Sequence, residues 1–381
     1  MIRQSTYLTA AQAADALDVT RATLYAYASR GQLRSERVPG RTRERRYLRQ
    51  DIERLRDRKE ARRDPAKAAA KGLEWGSPVL ESGITLIRDG RLYYRGQDAI
   101  QLAERASLEA VAELLWQSSD LFDQPPMRSP RLVTTGDALS LCQAALPLAG
   151  AADLAGYDLR PDAVRRTGAR IVRLMASMIA GHDVRGAVHT VWGPKVSEVV
   201  RSALVLCADH ELNVSAFTAR CAASAGASPY DVVAAALATL KGHRHGGQSE
   251  RAAAMLREPR AIESMLRRGE AVPGFGHPLY PDGDPRAEML LRLAEESRNR
   301  AIWRRVRGLA KEGQEVLGLH PTLDFGLAAL SLAYRLPEHA PIILFALGRT
   351  VGWIAHAIEQ YSSGQLIRPR AHYNGPLPAS S

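Results

Sequence analysis

Three short segments carry residues able to act on a carbonyl compound. Lys241-Gly242-His243-Arg244-His245-Gly246-Gly247 and Val272-Pro273-Gly274-Phe275-Gly276-His277-Pro278 each set a histidine among glycines, and His320-Pro321-Thr322-Leu323-Asp324-Phe325-Gly326 supplies a carboxylate. Glycine permits tight turns and close approach of a ligand to the main chain. Two histidines and an aspartate so placed are the parts for acid–base chemistry at a carbonyl. Taken singly, each residue has a plainer reading. Asp324, ahead of an apolar helix, reads as an N-cap. His210, beside Asp209 and Glu211 near a helix end, reads as a cation compensating the helix dipole. Arg349, Gly352 or Trp353, His356 and Gln360 share one helix face and read as a solvated polar stripe. His243 and His245 lack a third ligand at suitable spacing, so no metal site is expected.

The elements that must hold these residues are mostly helices. After Gly96, apolar residues recur at helical spacing in Leu108–Trp116, Asp137–Leu146, Val164–Ala180, Lys195–Asp209, Ala216–Ala225, Tyr230–Leu240 and Pro341–Tyr361. Leu80 to Tyr94 alternates around Asp89-Gly90, a hairpin signal, and is expected to be the one sizeable β element. Ser118 to Thr135 is the most loop-like stretch, and there is no internal repeat. The expected fold class is mainly α, with a short β-hairpin near the start of the body.

The 381 residues are 45% hydrophobic and allow a large core. No run of eighteen apolar residues and no signal-peptide pattern is present, so a soluble, cytoplasmic protein is expected. Cys142, Cys207 and Cys221 are scattered, which suits a reducing compartment and small core residues. The formal charge is +11, and residues 1–63, with 16 Lys+Arg against 8 Asp+Glu, hold +8 of it, leaving +3 for the other 318. That segment reads as a capped helix over Ala10–Leu17, a turn at Asp18-Val19 and a second helix from Arg21 to Ser29 capped by Thr20, which is a helix-turn-helix pattern. Arg21, Thr23, Tyr25 and Tyr27 are placed to face a DNA groove, with Ala22 and Leu24 seating the helix. Val38-Pro39-Gly40 and the basic run through Arg43, Arg45 and Arg46 to Tyr47 read as a hairpin or wing that touches phosphates. A third helix is expected over Asp51 to Arg63. Through Leu8-Thr9-Ala10-Ala11-Gln12-Ala13-Ala14, Thr23-Leu24-Tyr25 and Arg46-Tyr47-Leu48-Arg49-Gln50-Asp51-Ile52 this unit resembles small helix-turn-helix domains of the MerR and excisionase type. The resemblance implies duplex DNA as a partner of residues 1–63; contacts between subunits are the other use such a unit has.

The body, about residues 72–377, resembles citrate synthase. The resemblance rests on Leu92-Tyr93-Tyr94-Arg95-Gly96-Gln97-Asp98, Ala208-Asp209-His210-Glu211-Leu212-Asn213, the two histidine segments, Asp284-Pro285-Arg286, Thr322-Leu323-Asp324, Gly348-Arg349-Thr350-Val351-Gly352-Trp353-Ile354-Ala355-His356 and Ile367-Arg368-Pro369-Arg370, all in the family's order. It implies Asp324 as base on acetyl-CoA, His245 as stabiliser of the enol or enolate oxygen, and His277 as donor to the ketone of oxaloacetate. It implies His210, Arg286, Arg349 and Arg368 as ligands of the substrate carboxylates and ketone, the last reaching into a partner subunit of a homodimer. Such chemistry needs a positioned base, a stabilised enolate oxygen and cations for a dicarboxylate. The resemblance further implies no tightly bound cofactor and coenzyme A thioester as substrate, while the lack of a long apolar run leads to the expectation of no membrane partner.

The expected organisation is a helix-turn-helix domain at 1–63, a linker at 64–71 and a catalytic region at 72–381, its large domain about 72–210 and 330–381 and its small domain about 211–329. The implied activity is condensation of acetyl-CoA with oxaloacetate and hydrolysis to citrate. The alternatives are a 2-methylcitrate synthase using propionyl-CoA, and a DNA-binding regulator that keeps the fold as a metabolite sensor. Departures from the family pattern cluster after His245: where Gly-Pro-Leu-His-Gly-Gly-Ala-Asn is usual, this chain has Gly242-His243-Arg244-His245-Gly246-Gly247-Gln248-Ser249. These side chains are expected to alter the choice of 2-oxo acid or to contact coenzyme A phosphates. Pro278 and His372 replace residues that are commonly basic, and the region from Gln117 to about Asp137 is short.

Overall fold

The computed structural model describes residues 7–37, 44–49, 51–53, 55–56, 80–123, 136–258, 260–371 and 373–376. The expected linker at 64–71, the hairpin tip with Arg43, and His372 lie outside the described residues. The chain divides into two compact units, 1–81 and 82–381.

In the first unit, Thr9 caps helix Ala10–Ala16 in a reciprocal capping box with Gln12, and Thr20 caps helix Arg21–Ser29 through the Thr23 amide. Asp18, at φ +50, makes the tight joint between them. Strands Tyr7–Thr9, Arg45–Leu48 and Ser35–Arg37 form an antiparallel sheet with Arg45–Leu48 in the middle. The arms of the expected hairpin or wing are therefore strands, and Tyr7–Thr9 joins them to make a second three-stranded sheet. Its two edge strands, Tyr7–Thr9 and Ser35–Arg37, are three residues long each, too short to show an alternating pattern. Leu8, Ala13, Leu17, Leu24, Leu33, Tyr47 and Ile52 form the core. Buried Asp51 accepts three hydrogen bonds from Arg34, at 2.8–2.9 Å, and ties the following helical stretch to the hairpin.

The second unit opens with the hairpin Thr85–Arg88/Arg91–Tyr94, turning at Asp89 and Gly90, both at positive φ, and extended by Gln97–Asp98. The rest is helical. Helix Leu108–Trp116 has the expected bounds, while Ala138–Ala152 runs past the expected end with Pro147 inside it. Helices Gly247–Arg257, Ala261–Arg267, Pro285–Glu296, Arg300–Leu317 and Leu323–Ala333 fill the stretch between the motifs.

Two apolar cores organise this unit. The larger surrounds helix Ala340–Ser363, which is buried along its length and is long and apolar enough to cross a bilayer only by length and composition. The smaller joins Ala252, Leu256, Ile262, Phe275, Val306 and Phe325. Helix Leu323–Ala333 serves both: Leu323, Leu327 and Leu330 face the larger core, and Phe325, Ala328 and Ala329 the smaller. Helices Val214–Ser224 and Pro229–Leu240, expected in the small domain, instead give Ala219, Val233 and Leu237 to the larger core, because their apolar faces pack on helix Ala340–Ser363.

Candidate active site

The turn that carries His245 is closed by backbone bonds from the His245 and Gly247 amides to the Gly242 carbonyl. It tolerates no side chain at Gly246, where a Cβ would sit 2.7 Å from Leu240 Cδ2 and 2.8 Å from the Leu240 carbonyl oxygen. The His277 segment is held against the Asp324 segment by a short antiparallel ladder. The Gly276 amide donates to the His320 carbonyl and the Thr322 amide to the Gly274 carbonyl, both at 2.9 Å, with Phe275 opposite Pro321. That ladder explains why two motifs over forty residues apart act as one.

The polar partners lie close around these turns. Ser215 Oγ is 2.8 Å from His245 Nε2, and Trp353 Nε1 donates to the same Oγ at 3.1 Å. His210 Nε2 is 3.1 Å from the Tyr280 hydroxyl, and the His210 and His277 rings meet edge-on with centroids 5.1 Å apart. Arg286 forms a two-pronged pair with Asp284 at 2.9 and 2.8 Å, and Asp284 also accepts the Leu323 amide at 3.0 Å. One buried carboxylate thereby fixes the starts of two helices, Pro285–Glu296 and Leu323–Ala333. Arg349 donates to the Cys207 carbonyl at 2.7 Å and lies over the Phe345 ring. Asp324 Oδ1 accepts from Ser249 Oγ at 2.7 Å.

Burial sets the charge states. It pulls the His245 imidazole down to about 3, helped by Arg349, and the His277 imidazole down to about 4, helped by Arg286. His210 falls well below the usual range from burial first and then from Arg286, His277 and Arg349. Burial pushes the Asp324 carboxyl up to about 6, although Ser249 and Arg286 favour its ionised form. At neutral pH the group therefore offers neutral imidazoles, a carboxylate poised to take a proton, and two buried guanidiniums. Neutral imidazoles are effective hydrogen-bond donors to a carbonyl or enolate oxygen.

His210, His245, His277, Arg286, Asp324 and Arg349 are thus brought together by contacts and mutual fields. Arg368 is not: it is exposed, beyond the end of helix Ala340–Ser363 at Gly364, and within the described residues it makes no hydrogen bond or ion pair. Several of the plainer readings fall. Asp324 does not cap; Thr322 holds the N-cap position and the carboxylate turns to Ser249. His210 is buried and neutral, so it is no dipole-compensating cation. Arg349, Trp353, His356 and Gln360 are all buried, because helix Ala340–Ser363 is surrounded on every side. His356 lies 3.3 Å from Asp209 and accepts from Arg220, which pairs with Glu359. After His245 the unusual residues divide. His243 and Arg244 are exposed, Gln248 donates to the His243 carbonyl at 2.8 Å, and Ser249 points inward to Asp324.

Sequence reasoning missed Ser215 and Tyr280 and the roles of Asp284 and Ser249. Asp284 had a signal, since Asp-Pro at a helix start is a capping pattern. Ser215 and Tyr280 carried none; only the fold brings them to the histidines.

In the first unit, Arg21, Tyr25 and Arg45 are exposed, whereas Arg46 pairs with Glu36 and lies over the Tyr7 ring. Thr23 is half-buried, and Tyr27 packs on the core, not in a groove-facing row. Positions 21 and 25 share one helix face and 23 and 27 another, so alternate residues cannot all face one groove. Ala22 is exposed and Leu24 alone of the two seats the helix.

Residues 133–370 match the citrate synthase, C-terminal domain family, and residues 7–60 match a helix-turn-helix domain. Citrate synthase 2 of Bacillus subtilis (strain 168) is 29% identical, with 81% of this chain and 96% of that protein covered. The citrate synthase of Haloferax volcanii is 30% identical, covering 80% and 95%. The crystal structure of citrate synthase from Thermotoga maritima MSB8 superposes with a TM-score of 0.69 at 25% identity, covering 82% of this chain and 97% of that one.

Proposed function

The chain belongs to the citrate synthase family of acyltransferases, with a helix-turn-helix domain at its N-terminus, and on that premise we propose that it condenses acetyl-CoA with oxaloacetate and hydrolyses the citryl-CoA formed to citrate and coenzyme A. The observation that carries this reading is the half-buried Asp324 carboxyl, raised to about 6, beside neutral His245 and His277 and the buried guanidiniums of Arg286 and Arg349. Asp324 takes a proton from the thioester methyl group. His245 donates an N–H to the enolate oxygen as charge moves onto it. For that, the Ser215 hydrogen must turn from Asn213 Oδ1, 2.8 Å away, to His245 Nε2, with Trp353 donating to the same hydroxyl oxygen, so that Nδ1 carries the hydrogen that faces substrate. The enol carbon attacks the oxaloacetate ketone, whose oxygen is polarised by His277 and His210. Arg286 and Arg349 hold the carboxylates, and Arg368 completes the neighbouring site in a homodimer. Water then cleaves the thioester. The two apolar cores act as a large and a small domain that close over the substrates.

The deciding assay is free-thiol release from acetyl-CoA with and without oxaloacetate, for wild type and Asp324→Ala. Oxaloacetate-dependent release by wild type, lost in the variant, is expected; its absence in wild type would sink the reading. Propionyl-CoA in the same assay decides between citrate and 2-methylcitrate formation, a choice that one methylene makes worth only about 1–3 kcal/mol.

We also propose that the helix-turn-helix domain binds duplex DNA, with Arg21 and Tyr25 at the groove and Arg45 on the backbone. The support is the family match, the local charge of +8 and the exposure of these side chains. Ligand binding without turnover in the thiol assay would make the body a metabolite sensor for that domain.

A further inference from the structure

Ser249 stands in the first turn of helix Gly247–Arg257 and is fully buried. Its Oγ lies 2.7 Å from Asp324 Oδ1 and 2.9 Å from the Gly246 carbonyl oxygen. A hydroxyl has one hydrogen and two lone pairs, so it can donate to only one of these acceptors at a time. When Asp324 is ionised, the hydrogen belongs on Oδ1, where charge strengthens the bond; the Gly246 carbonyl keeps the Ser249 amide at 3.0 Å. When Asp324 is protonated, its O–H donates to Ser249 Oγ and the serine hydrogen turns to the Gly246 carbonyl. Rotation about the Cβ–Oγ bond accomplishes this with no heavy atom moving.

Building on the reading of Asp324 as the base, we propose that Ser249 is a positioning residue whose hydroxyl follows the proton of Asp324, holding the base in one geometry before and after proton abstraction. Gly246 belongs to the turn that carries His245, so the same hydroxyl ties the base to the imidazole that receives the enolate oxygen. The asparagine usual at this place in the family separates donor and acceptor on two atoms and must flip its amide to do the same. The charged groups acting on Asp324 are Arg286, which favours the carboxylate, and Asp284, which opposes it and is itself paired with Arg286. Of the other ionisable groups on the packed elements, Arg349 bonds the Cys207 carbonyl, His245 meets Ser215, and Glu250, next to Ser249, pairs with His339.

The test compares wild type, Ser249→Ala and Ser249→Asn in two ways: the acid limb of kcat/KM, and infrared titration of the Asp324 carboxyl band, assigned by its loss in Asp324→Asn. In Ser249→Ala both are expected to move up by about one pH unit, with KM for oxaloacetate unchanged. Ser249→Asn is expected to return them toward wild type. A Ser249→Ala limb and band that coincide with wild type would overturn the proposal, as would a kcat lowered equally at every pH. If the alanine variant does not fold, Ser249→Cys, a weaker donor of similar size, must shift both upward or the proposal fails. Wild type without thiol release would sink the condensing activity, while the infrared titration still decides the role of Ser249.

Discussion

Asp324 carries a folding cost that its proposed role as the base requires. Burial holds its carboxyl up at about 6 in the fold, above the ordinary aspartate range, so the fold binds the proton more tightly than the unfolded chain. The penalty is absent below about pH 4, grows as pH rises through the folded value, and is complete above it. Asp324→Asn should therefore gain up to about 3 kcal/mol at pH 8 and almost nothing at pH 4, while turnover drops by about 10²–10⁴-fold. Thermal unfolding at the two pH values, alongside thiol release, checks both halves; equal gains at both would refute the account. In wild type, kcat/KM should fall as pH drops through about 6, because the base must be ionised to accept a proton. The histidines have the opposite linkage. His245 and His277 are depressed to about 3 and 4, so their contribution to stability is present above the unfolded value and is lost as pH falls through the folded ones.

At the scale of elements, helix Ala340–Ser363 works because small residues let it approach its neighbours. A Cβ at Gly352 would lie 2.4 Å from Asp209 Oδ1 and 2.5 Å from the Ala208 carbonyl oxygen, and one at Gly348 would lie 2.5 Å from the Leu204 carbonyl oxygen. The segment so approached leads directly into His210. Gly352→Ala should destabilise by about 1–3 kcal/mol, as overpacking does. It should also raise KM for oxaloacetate, which urea unfolding and steady-state kinetics can measure together. Gly313 has the same part in the smaller core, where a Cβ would fall 2.2 Å from the Phe275 ring. Phe275 sits within the ladder that delivers His277, so Gly313→Ala should lower kcat although position 313 lies in helix Arg300–Leu317, outside the catalytic motifs. A kcat equal to that of wild type would separate the core from the site.

At the scale of the molecule, two proposals concern what lies outside one body. If Arg368 completes a neighbouring site, mixing inactive Arg368→Ala and Asp324→Asn proteins under subunit exchange should restore activity, since one site in the mixed dimer then has both residues. No recovery, with exchange shown by mass, would place Arg368 elsewhere. If the N-terminal domain binds DNA, affinity should fall steeply with salt, and Arg21→Ala or Arg45→Ala should each flatten the log–log slope by about 1. Affinity unchanged on deletion of residues 1–63 would remove DNA from its partners.

Much of this was legible in the chain. The order of the motifs pointed to the family, the Asp89-Gly90 turn to the hairpin, and Thr9 and Thr20 to the first two helix starts, because these signals are local in sequence. Reading alternate positions along Arg21–Ser29 misplaced Tyr27, for a helix repeats every 3.6 residues. Burial was decided only by tertiary structure. No local pattern told that the polar face of helix Ala340–Ser363 is enclosed, that Asp324 turns from its own helix start to Ser249, or that Ser215 and Tyr280 meet the histidines. Residue type supplied the imidazoles, the carboxyl and the guanidiniums; desolvation by elements distant in sequence neutralised the imidazoles and raised the carboxyl, since the free energy of a charge depends on what surrounds it.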